Sequence, residues 1–351
     1  MINNVILGWD LGGAHVKAVL LNADGVAVRA MQVACPLWRG MDHLARAVDE
    51  VMAALEVEVT QHAVTMTGEL ADIFSSRDEG VQRLAAFMID RFGSAQVRVY
   101  AGPQRFVAHD AISRFSADIA SANWHASASF LATQIKDGLL LDVGSTTSDL
   151  VVLHQGRAQA CAYSDAARMR HDELLYTGVV RTPVMAVVHQ VPFDGAWQGV
   201  AAEHFATMAD VYRLTGDLVE GYDMAETADG AGKSLEDCAR RLARMVGRDL
   251  SDAGLPQWRA LARSIKAAQL RTLQQAAERA LSRGLLPEQA PFLGAGAGRF
   301  LVRALACQMA REYRDVSEWV VAAPAVAAWA VTCLPAYAVA CLAMEGQAWQ
   351  R

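Results

Sequence analysis

Two short glycine-and-acid turns, about 130 residues apart, constrain this 351-residue chain more than any other feature. The first is Gly8-Trp9-Asp10-Leu11-Gly12-Gly13-Ala14-His15-Val16-Lys17, and the second is Leu140-Leu141-Asp142-Val143-Gly144-Ser145-Thr146-Thr147-Ser148-Asp149. Each reads as an apolar strand, an aspartate, a turn of small residues and a second apolar strand. Glycine lets backbone N–H groups come close to phosphate oxygens. The hydroxyls of Ser145, Thr146 and Thr147 add donors, and Asp10 and Asp142 can hold magnesium against the same phosphates, directly or through water. One such turn says little, because hairpins take glycine for steric reasons alone. Two of them, each between strands, point to a chain that meets a phosphoryl group twice.

A third element is Pro291-Phe292-Leu293-Gly294-Ala295-Gly296-Ala297-Gly298-Arg299-Phe300, an apolar run that meets a glycine-rich turn and then a helix-like stretch. Gly294, Gly296 and Gly298 would let a phosphorylated ligand sit on bare backbone at a helix start. The order of the three elements resembles the actin, sugar kinase and Hsp70 ATPase superfamily. The resemblance implies an α/β fold of two ribonuclease-H-like domains around a central cleft. The first is expected at residues 1–132. The second is expected at 133–351, with a helical insertion at about 165–290, the glycine-rich turn at 294–298 and a C-terminal helix free to pack back on the first domain.

The pattern along the chain agrees with that order. Val5–Asp10, Val16–Leu21 and Gly25–Val33 read as a meander, with Asn22-Ala23-Asp24-Gly25 as its second turn. Helices are predicted at Met41–Leu55 and at Ser76–Phe92, where Ser76 caps and Glu79 stands three positions on. Short strands fall at 64–67 and 97–100, and a helix at 111–134. The second copy begins near Gly138, with strands at 143–153 and 156–163. Further helices are expected at 203–215, 235–247, 257–283, 300–313 and 324–347.

Apolar residues make up 53% of the chain and charged ones 20%, enough for a large core, and the net charge of −6 disfavours nucleic acid as a partner. The six cysteines are scattered without a Cys-x-x-Cys pair, as in a reduced cytoplasmic protein. Residues 319–344 carry no charge, but they are rich in alanine and broken by Pro324 and Pro335. A buried helix pair is expected there, not a membrane span. A homo-oligomer is left open.

Several stretches resemble one narrower family within the hydantoinase A and oxoprolinase group. They are Met66-Thr67-Gly68-Glu69-Leu70-Ala71-Asp72, Ser76-Arg77-Asp78-Glu79-Gly80-Val81, Ser121-Ala122-Asn123-Trp124, Tyr176-Thr177-Gly178-Val179-Val180-Arg181-Thr182-Pro183-Val184 and Glu203-His204-Phe205-Ala206-Thr207-Met208-Ala209-Asp210-Val211-Tyr212. The family includes the methanofuran-core synthase of methanogens, and its bacterial relatives are linked to tetrahydromethanopterin-dependent one-carbon transfer. The resemblance implies a transferase that joins an aminomethylfuran methyl diphosphate to a phenol and releases diphosphate. Small-molecule diphosphate and phenolic substrates are then the expected partners, and magnesium the expected cofactor.

On that reading Asp10 and Asp142 draw off the leaving-group charge, with Asp149 as a third metal-side carboxylate. Gly12, Gly13, Lys17, Gly144, Ser145, Thr146, Thr147, Gly294, Gly296 and Gly298 contact phosphate. Glu69 or His15 acts as the base for the phenol. Asn123, Trp124 and Arg181 contact substrate, Trp124 by stacking and Arg181 by clamping a carboxylate. Each has a plainer competitor: a hairpin cap for the aspartates, an exposed strand lysine for Lys17, a core tryptophan for Trp124 and a surface ion pair for Arg181. Glu203, His204 and Asp210 have metal-ligand identities, and Glu203 and Asp210 would share a helix face, but a hydrogen-bonded helix-end role is preferred. Two other functions fit the motifs alone. One is an ATP-dependent kinase or hydantoinase-type hydrolase, for which ATP is the expected cofactor, and the other is a non-catalytic actin-like nucleotide switch that binds a protein partner.

Overall fold

The computed structural model describes residues 5–345. In chain order the strands are β1 (Ile6–Leu11), β2 (His15–Leu21), β3 (Ala27–Ala34), β4 (Gln61–Met66), β5 (Val97–Tyr100), β6 (Phe106–Val107), β7 (Gly138–Val143), β8 (Ser148–His154), β9 (Arg157–Gln159), β10 (Leu174–Leu175), β11 (Gln190–Phe193), β12 (Ala196–Gly199), β13 (Phe292–Ala295) and β14 (Tyr313–Asp315). The helices are α1 (Met41–Ala53), α2 (Arg77–Phe92), α3 (Ser116–Ile119), α4 (Asn123–Gln134), α5 (Asp165–Arg170), α6 (Met208–Thr215), α7 (Leu235–Met245), α8 (Leu255–Leu281), α9 (Arg299–Gln308), α10 (Ala327–Thr332) and α11 (Leu334–Glu345).

The chain forms two compact units, and the division differs from the one expected at residue 132. The first unit takes Met1–Asp137, Leu153–His171 and Val316–Arg351; the second takes Gly138–Val152 and Asp172–Asp315. β8 therefore begins in one unit and ends in the other.

The first unit is built on a sheet of order β3-β2-β1-β4-β5-β6. β1 runs antiparallel to β2 and parallel to β4, the mark of a meander followed by a crossover helix. The turn between β2 and β3 works as its sequence predicts. Asn22 Oδ1 accepts from the N–H groups of Asp24 and Val26, and Gly25 takes a φ of +77°. Ser76 caps α2 by accepting from the Glu79 N–H at 3.2 Å. Trp9, Leu11, Val64, Met66, Leu84 and Met88 are among the core residues.

The charge-free segment folds as the expected helix pair, α10 and α11, which divides the helix drawn at 324–347; the last two residues of that range lie outside those described. The break falls at Cys333, and Pro335 then sits in the first turn of α11, where its missing N–H costs nothing. No helix among the described residues is long and apolar enough to cross a membrane. α11 is buried and lies on β1, β2 and β4. Gly8 permits this contact, because a Cβ there would collide with the Ala336 carbonyl and meet Ala340 at 2.9 Å. The apolar α11 is thus buried against the sheet of the first unit.

The second unit has a sheet of order β10-β8-β7-β13-β14, with β9 beside β8. β13 runs parallel to both β7 and β14. Helices α6, α7, α8 and α9 pack their apolar faces into one core with Leu139, Leu141 and Val152. Several expected elements are shorter or different. The strand at 156–163 is only β9, and the 111–134 helix is divided into α3 and α4. The insertion also holds the β11–β12 hairpin, and the helix expected at 203–215 begins at Met208. There Thr207 and Asp210 close a reciprocal capping box, which starts the helix five residues late.

Both sheets show the ribonuclease-H-like order, with helices packed against them. The fold is therefore α/β, of the actin, sugar kinase and Hsp70 ATPase type.

Candidate functional site

In the first unit the turn after β1 closes with Gly12 N–H donating to His15 O at 2.9 Å. Asp10 lies at the end of β1, 3% exposed. Its register neighbours are Lys17 on β2 and Thr65 on β4. Directly registered residues share a sheet face, so these three side chains stand together. Lys17 Nζ lies 3.7 Å from Asp10 Oδ2, an ion pair across the first two strands. Thr65 Oγ1 is buried and has no hydrogen-bond partner. Local sequence gave no reason to single out Thr65; only the β1–β4 pairing brings it here.

β4 ends in a turn that carries Glu69. Thr67 N–H donates to Leu11 O at 3.0 Å, which fastens this turn to the Asp10 turn. Gly68 fits against Leu11 O, and Gly80 of α2 leaves no room for a Cβ against the Glu69 backbone. Glu69 is 1% exposed. Ser121 Oγ–H donates to its Oε1 at 2.6 Å, while Oε2 is buried without a partner. Burial pushes the Glu69 carboxyl up to about 7; the Ser121 hydrogen bond opposes this, the Asp165 charge adds to it and Arg77 works against it. Of the two bases expected for the phenol, Glu69 has an acidity suited to proton transfer near neutrality. His15 is half-buried at the start of β2, opposite Ala34.

Asn123 and Trp124 open α4. Asn123 Oδ1 accepts from the Trp124 N–H at 2.7 Å, which ties its side chain back to the start of the helix. Trp124 is buried, and the Arg168 guanidinium sits 3.9 Å from its ring centroid. The face expected to stack on substrate is thus covered by an arginine that is itself 1% exposed. The other side of the cluster is aromatic, with Tyr163 and His125 near Trp124. Burial lowers His125 to about 4, so it is a neutral hydrogen-bond partner for the Tyr100 hydroxyl at 2.8 Å.

In the second unit the same closing hydrogen bond recurs. Gly144 N–H donates to Thr147 O at 2.8 Å, as Gly12 does to His15. Asp142 stands in register with Ala295 of β13. Gly296, with a φ of +76°, packs where a Cβ would strike Val143 O and Asp142 Oδ1. Gly298 N–H donates to Val143 O at 2.8 Å. Gly294 belongs elsewhere than expected. It lies inside β13, and its missing side chain makes room for the Tyr313 ring. Ser145 Oγ is buried without a partner, whereas Thr146 and Thr147 are half-buried.

A strap at 177–182 holds this turn. The N–H groups of Val180 and Arg181 both donate to Ser145 O, at 3.0 and 2.9 Å. Gly178 lies so close that a Cβ would be 2.5 Å from the Ser145 carbonyl and the Thr146 nitrogen. Gln269 of α8 donates to Thr177 Oγ1 and Gly178 O, at 2.8 and 2.9 Å. Arg181 has an exposed side chain beside the turn. Gly178 and Gln269 were not among the expected site residues, although the 176–184 stretch itself was.

Asp149 lies on β8 opposite Leu174. Asp210, weighed as a metal ligand, is instead paired with Arg241 through Oδ1 at 2.9 and 2.6 Å, and Glu203 is exposed ahead of the helix. Among the described residues no group of three or more His, Cys, Asp and Glu could hold a metal ion by itself. Asp10, at the end of β1 in the first unit, and Asp142, near the end of β7 in the second, are each a single carboxylate, a type of group that can ligate magnesium when water and substrate phosphate supply the remaining ligands.

Residues 60–334 match the family described as hydantoinase/oxoprolinase. A synthase of Methanocaldococcus jannaschii, named (4-{4-[2-(gamma-L-glutamylamino)ethyl]phenoxymethyl}furan-2-yl)methanamine synthase, is 30% identical over 246 residues, covering 70% of this chain and 72% of its own. The protein of that name from Methanococcus vannielii is 30% identical over 125 residues, 35% of this chain and 56% of its own. Among solved structures, nucleotide-free acetone carboxylase aligns over 97% of this chain and 70% of its own, with a TM-score of 0.59 and 11% identity, a likeness of fold alone. The chain belongs to the hydantoinase/oxoprolinase family and is related within it to these furan-methanamine synthases.

Proposed function

We propose that the protein is a transferase of methanofuran-type cofactor biosynthesis. It joins the phenol oxygen of tyrosine, tyramine or a glutamylated tyramine to the exocyclic carbon of an aminomethylfuran methyl diphosphate. Diphosphate leaves, and the ether product serves tetrahydromethanopterin-linked one-carbon metabolism as methanofuran or methylofuran. The observation that carries this reading is the 30% identity over most of the chain to a synthase whose named product contains an aryl–O–CH₂–furan ether.

The site residues suit that chemistry. In the bond change, the carbon–oxygen bond to diphosphate breaks, the carbon–oxygen bond to the phenol forms, and the phenol loses a proton. The furan ring stabilises the positive charge left on carbon, so catalysis is mostly positioning and charge stabilisation. Asp10 and Asp142 are the carboxylates offered to magnesium, which would neutralise charge on the departing diphosphate. Lys17 and the turn from Gly144 to Thr147 contribute donors to phosphate oxygens. Glu69 takes the proton: a phenol of pKa about 10 needs a base, and a buried carboxylate titrating at about 7 holds a proton better than an exposed one.

An oxygen-18 label in the phenol tests the reading. The account expects the label in the ether and none in diphosphate. An unlabelled ether, or no ether alongside phosphate or ADP formed from ATP, would contradict it.

A further inference from the structure

The structure holds Glu69 in a polar cluster that the proposed chemistry uses only at one end. Ser121 Oγ lies between two carboxylates, 2.6 Å from Glu69 Oε1 and 3.4 Å from Asp165 Oδ2. Asp165 opens α5 and is 6% exposed. Its Oδ2 accepts from Arg77 at 2.6 Å, and the Arg77 side chain is 37% exposed. The buried Glu69, Ser121 and Asp165 groups therefore lead to Arg77, whose side chain is partly exposed. They come from positions 69, 121 and 165 of the chain, on three separate elements.

Two features show that this placement is held against a cost. Ser121 has a φ of +53°, in the left-handed region that a serine enters at an energetic penalty. That conformation ends α3, starts α4 and aims the hydroxyl at Glu69. Gly80 of α2 packs directly on the Glu69 backbone, and a Cβ there would collide with the Glu69 carbonyl. Glu69 Oε2 then remains as a buried carboxyl oxygen with no hydrogen-bond partner.

We infer that Glu69, Ser121 and Asp165 form a proton relay, with Glu69 as its inner end and Asp165 as its outlet to solvent. The inference rests on the reading of Glu69 as the base. A proton taken from the phenol arrives on Glu69 Oε2. Rotation of the carboxyl carries it to the Oε1 side, which donates it to Ser121 Oγ as the Ser121 proton passes to Asp165 Oδ2. Asp165 then releases a proton to water beside Arg77. One phenol O–H bond is lost, one proton reaches solvent, and all three residues return to their starting forms. Ser121 and Asp165 are positioning residues; neither touches substrate in this scheme. The charged groups that act on Glu69 are Asp165 from α5 and Arg77 from α2.

An infrared titration of the full chain without substrate tests the coupling. The carboxylic C=O band that disappears in Glu69→Gln reports Glu69. In the wild type it should titrate near pH 7. Ser121→Gly is the informative variant, because glycine adopts a φ of +53° without strain and the fold is retained. Loss of the hydroxyl should move the midpoint up, and Asp165→Asn should move it down, each by at least half a pH unit. In the diphosphate-release assay both variants should lose about tenfold in kcat with KM unchanged, and the acidic limb of the pH profile should follow the infrared midpoint. Midpoints equal to wild type in both variants would overturn the relay. Because the titration needs no substrate, opposite shifts in a protein that releases no diphosphate would instead fault the proposed reaction.

Discussion

The two copies of the aspartate turn share a backbone and differ in what closes on them. In both, the strand beside the aspartate strand ends in a turn that folds back on the residue after the aspartate. Thr67 N–H reaches Leu11 O in the first unit, and Gly298 N–H reaches Val143 O in the second. The first unit places Glu69 on that closing turn, a buried acid with a hydroxyl and a second carboxylate behind it. The second unit places Gly296-Ala297-Gly298 there and adds a strap that grips Ser145. One local geometry has thus been given an acid–base group in one copy and bare backbone in the other. A turn motif therefore locates a site, but its function is set by the element that packs on the turn.

The largest effect should come from the aspartates common to both copies. Asp10→Asn or Asp142→Asn should reduce magnesium-dependent diphosphate release by about 10²-fold or more, the scale on which removal of a charge-stabilising group acts. Steady-state kinetics at saturating substrate would check this. Retention of half the activity in either variant would break the comparison at its shared feature.

Next come the glycines, which sharpen it. Gly296→Ala forces a Cβ into Val143 O and Asp142 Oδ1 at a φ of +76°. It should cost about 2–3 kcal/mol of stability and at least tenfold in activity. Gly13→Ala points into open space, with nothing within 4 Å. It should leave the melting temperature unchanged and lower activity by less than threefold. Thermal melts of the two variants side by side decide the matter.

Glu69 gives a pH signature with a definite sign. Its carboxyl is raised from 4.5 when unfolded to about 7 when folded. The folded state therefore binds the extra proton between those values, and stability falls as pH rises through that window. The loss amounts to about 3 kcal/mol, at roughly 1.4 kcal/mol per pKa unit. Glu69→Gln should melt like the wild type at pH 4.5 and at higher temperature than the wild type at pH 8, while losing catalysis. Melting curves at the two pH values would show it; a variant less stable at pH 8 would contradict the buried, raised carboxyl.

The smallest effect concerns the position where the turns differ in sequence. His15 occupies the place of Thr147. His15→Thr makes the first turn like the second, and activity should stay within threefold with the same pH profile if Glu69 is the base. A profile that loses its acidic limb would return His15 to that role.

Much of this fold was legible in the sequence because its signals are local. The β1–β3 meander follows from apolar alternation and the Asn22–Gly25 turn, the α2 start from Ser76, and the two aspartate turns from their own residues. The C-terminal segment was legible as buried helix, but its partner was not, since the fit of Ala336 and Ala340 over Gly8 joins residues more than 300 apart. Thr65, Ser121 and Asp165 escaped for the same reason. A serine before Ala-Asn-Trp gives no local hint that its backbone is left-handed or that its hydroxyl bridges two acids. Asp210 misled in the other direction: its identity suggested a ligand, and Arg241, 31 residues away, claims it.

The most direct test of the account is magnesium-dependent diphosphate release from aminomethylfuran methyl diphosphate, measured with and without tyrosine, tyramine or glutamyl-tyramine beside a parallel ATP assay. The account predicts release that requires the phenol, disappears in Asp142→Asn and has no counterpart with ATP. Turnover of ATP together with no phenol-dependent release would contradict the ether-forming transferase and favour the kinase or hydrolase chemistry that the same fold also supports.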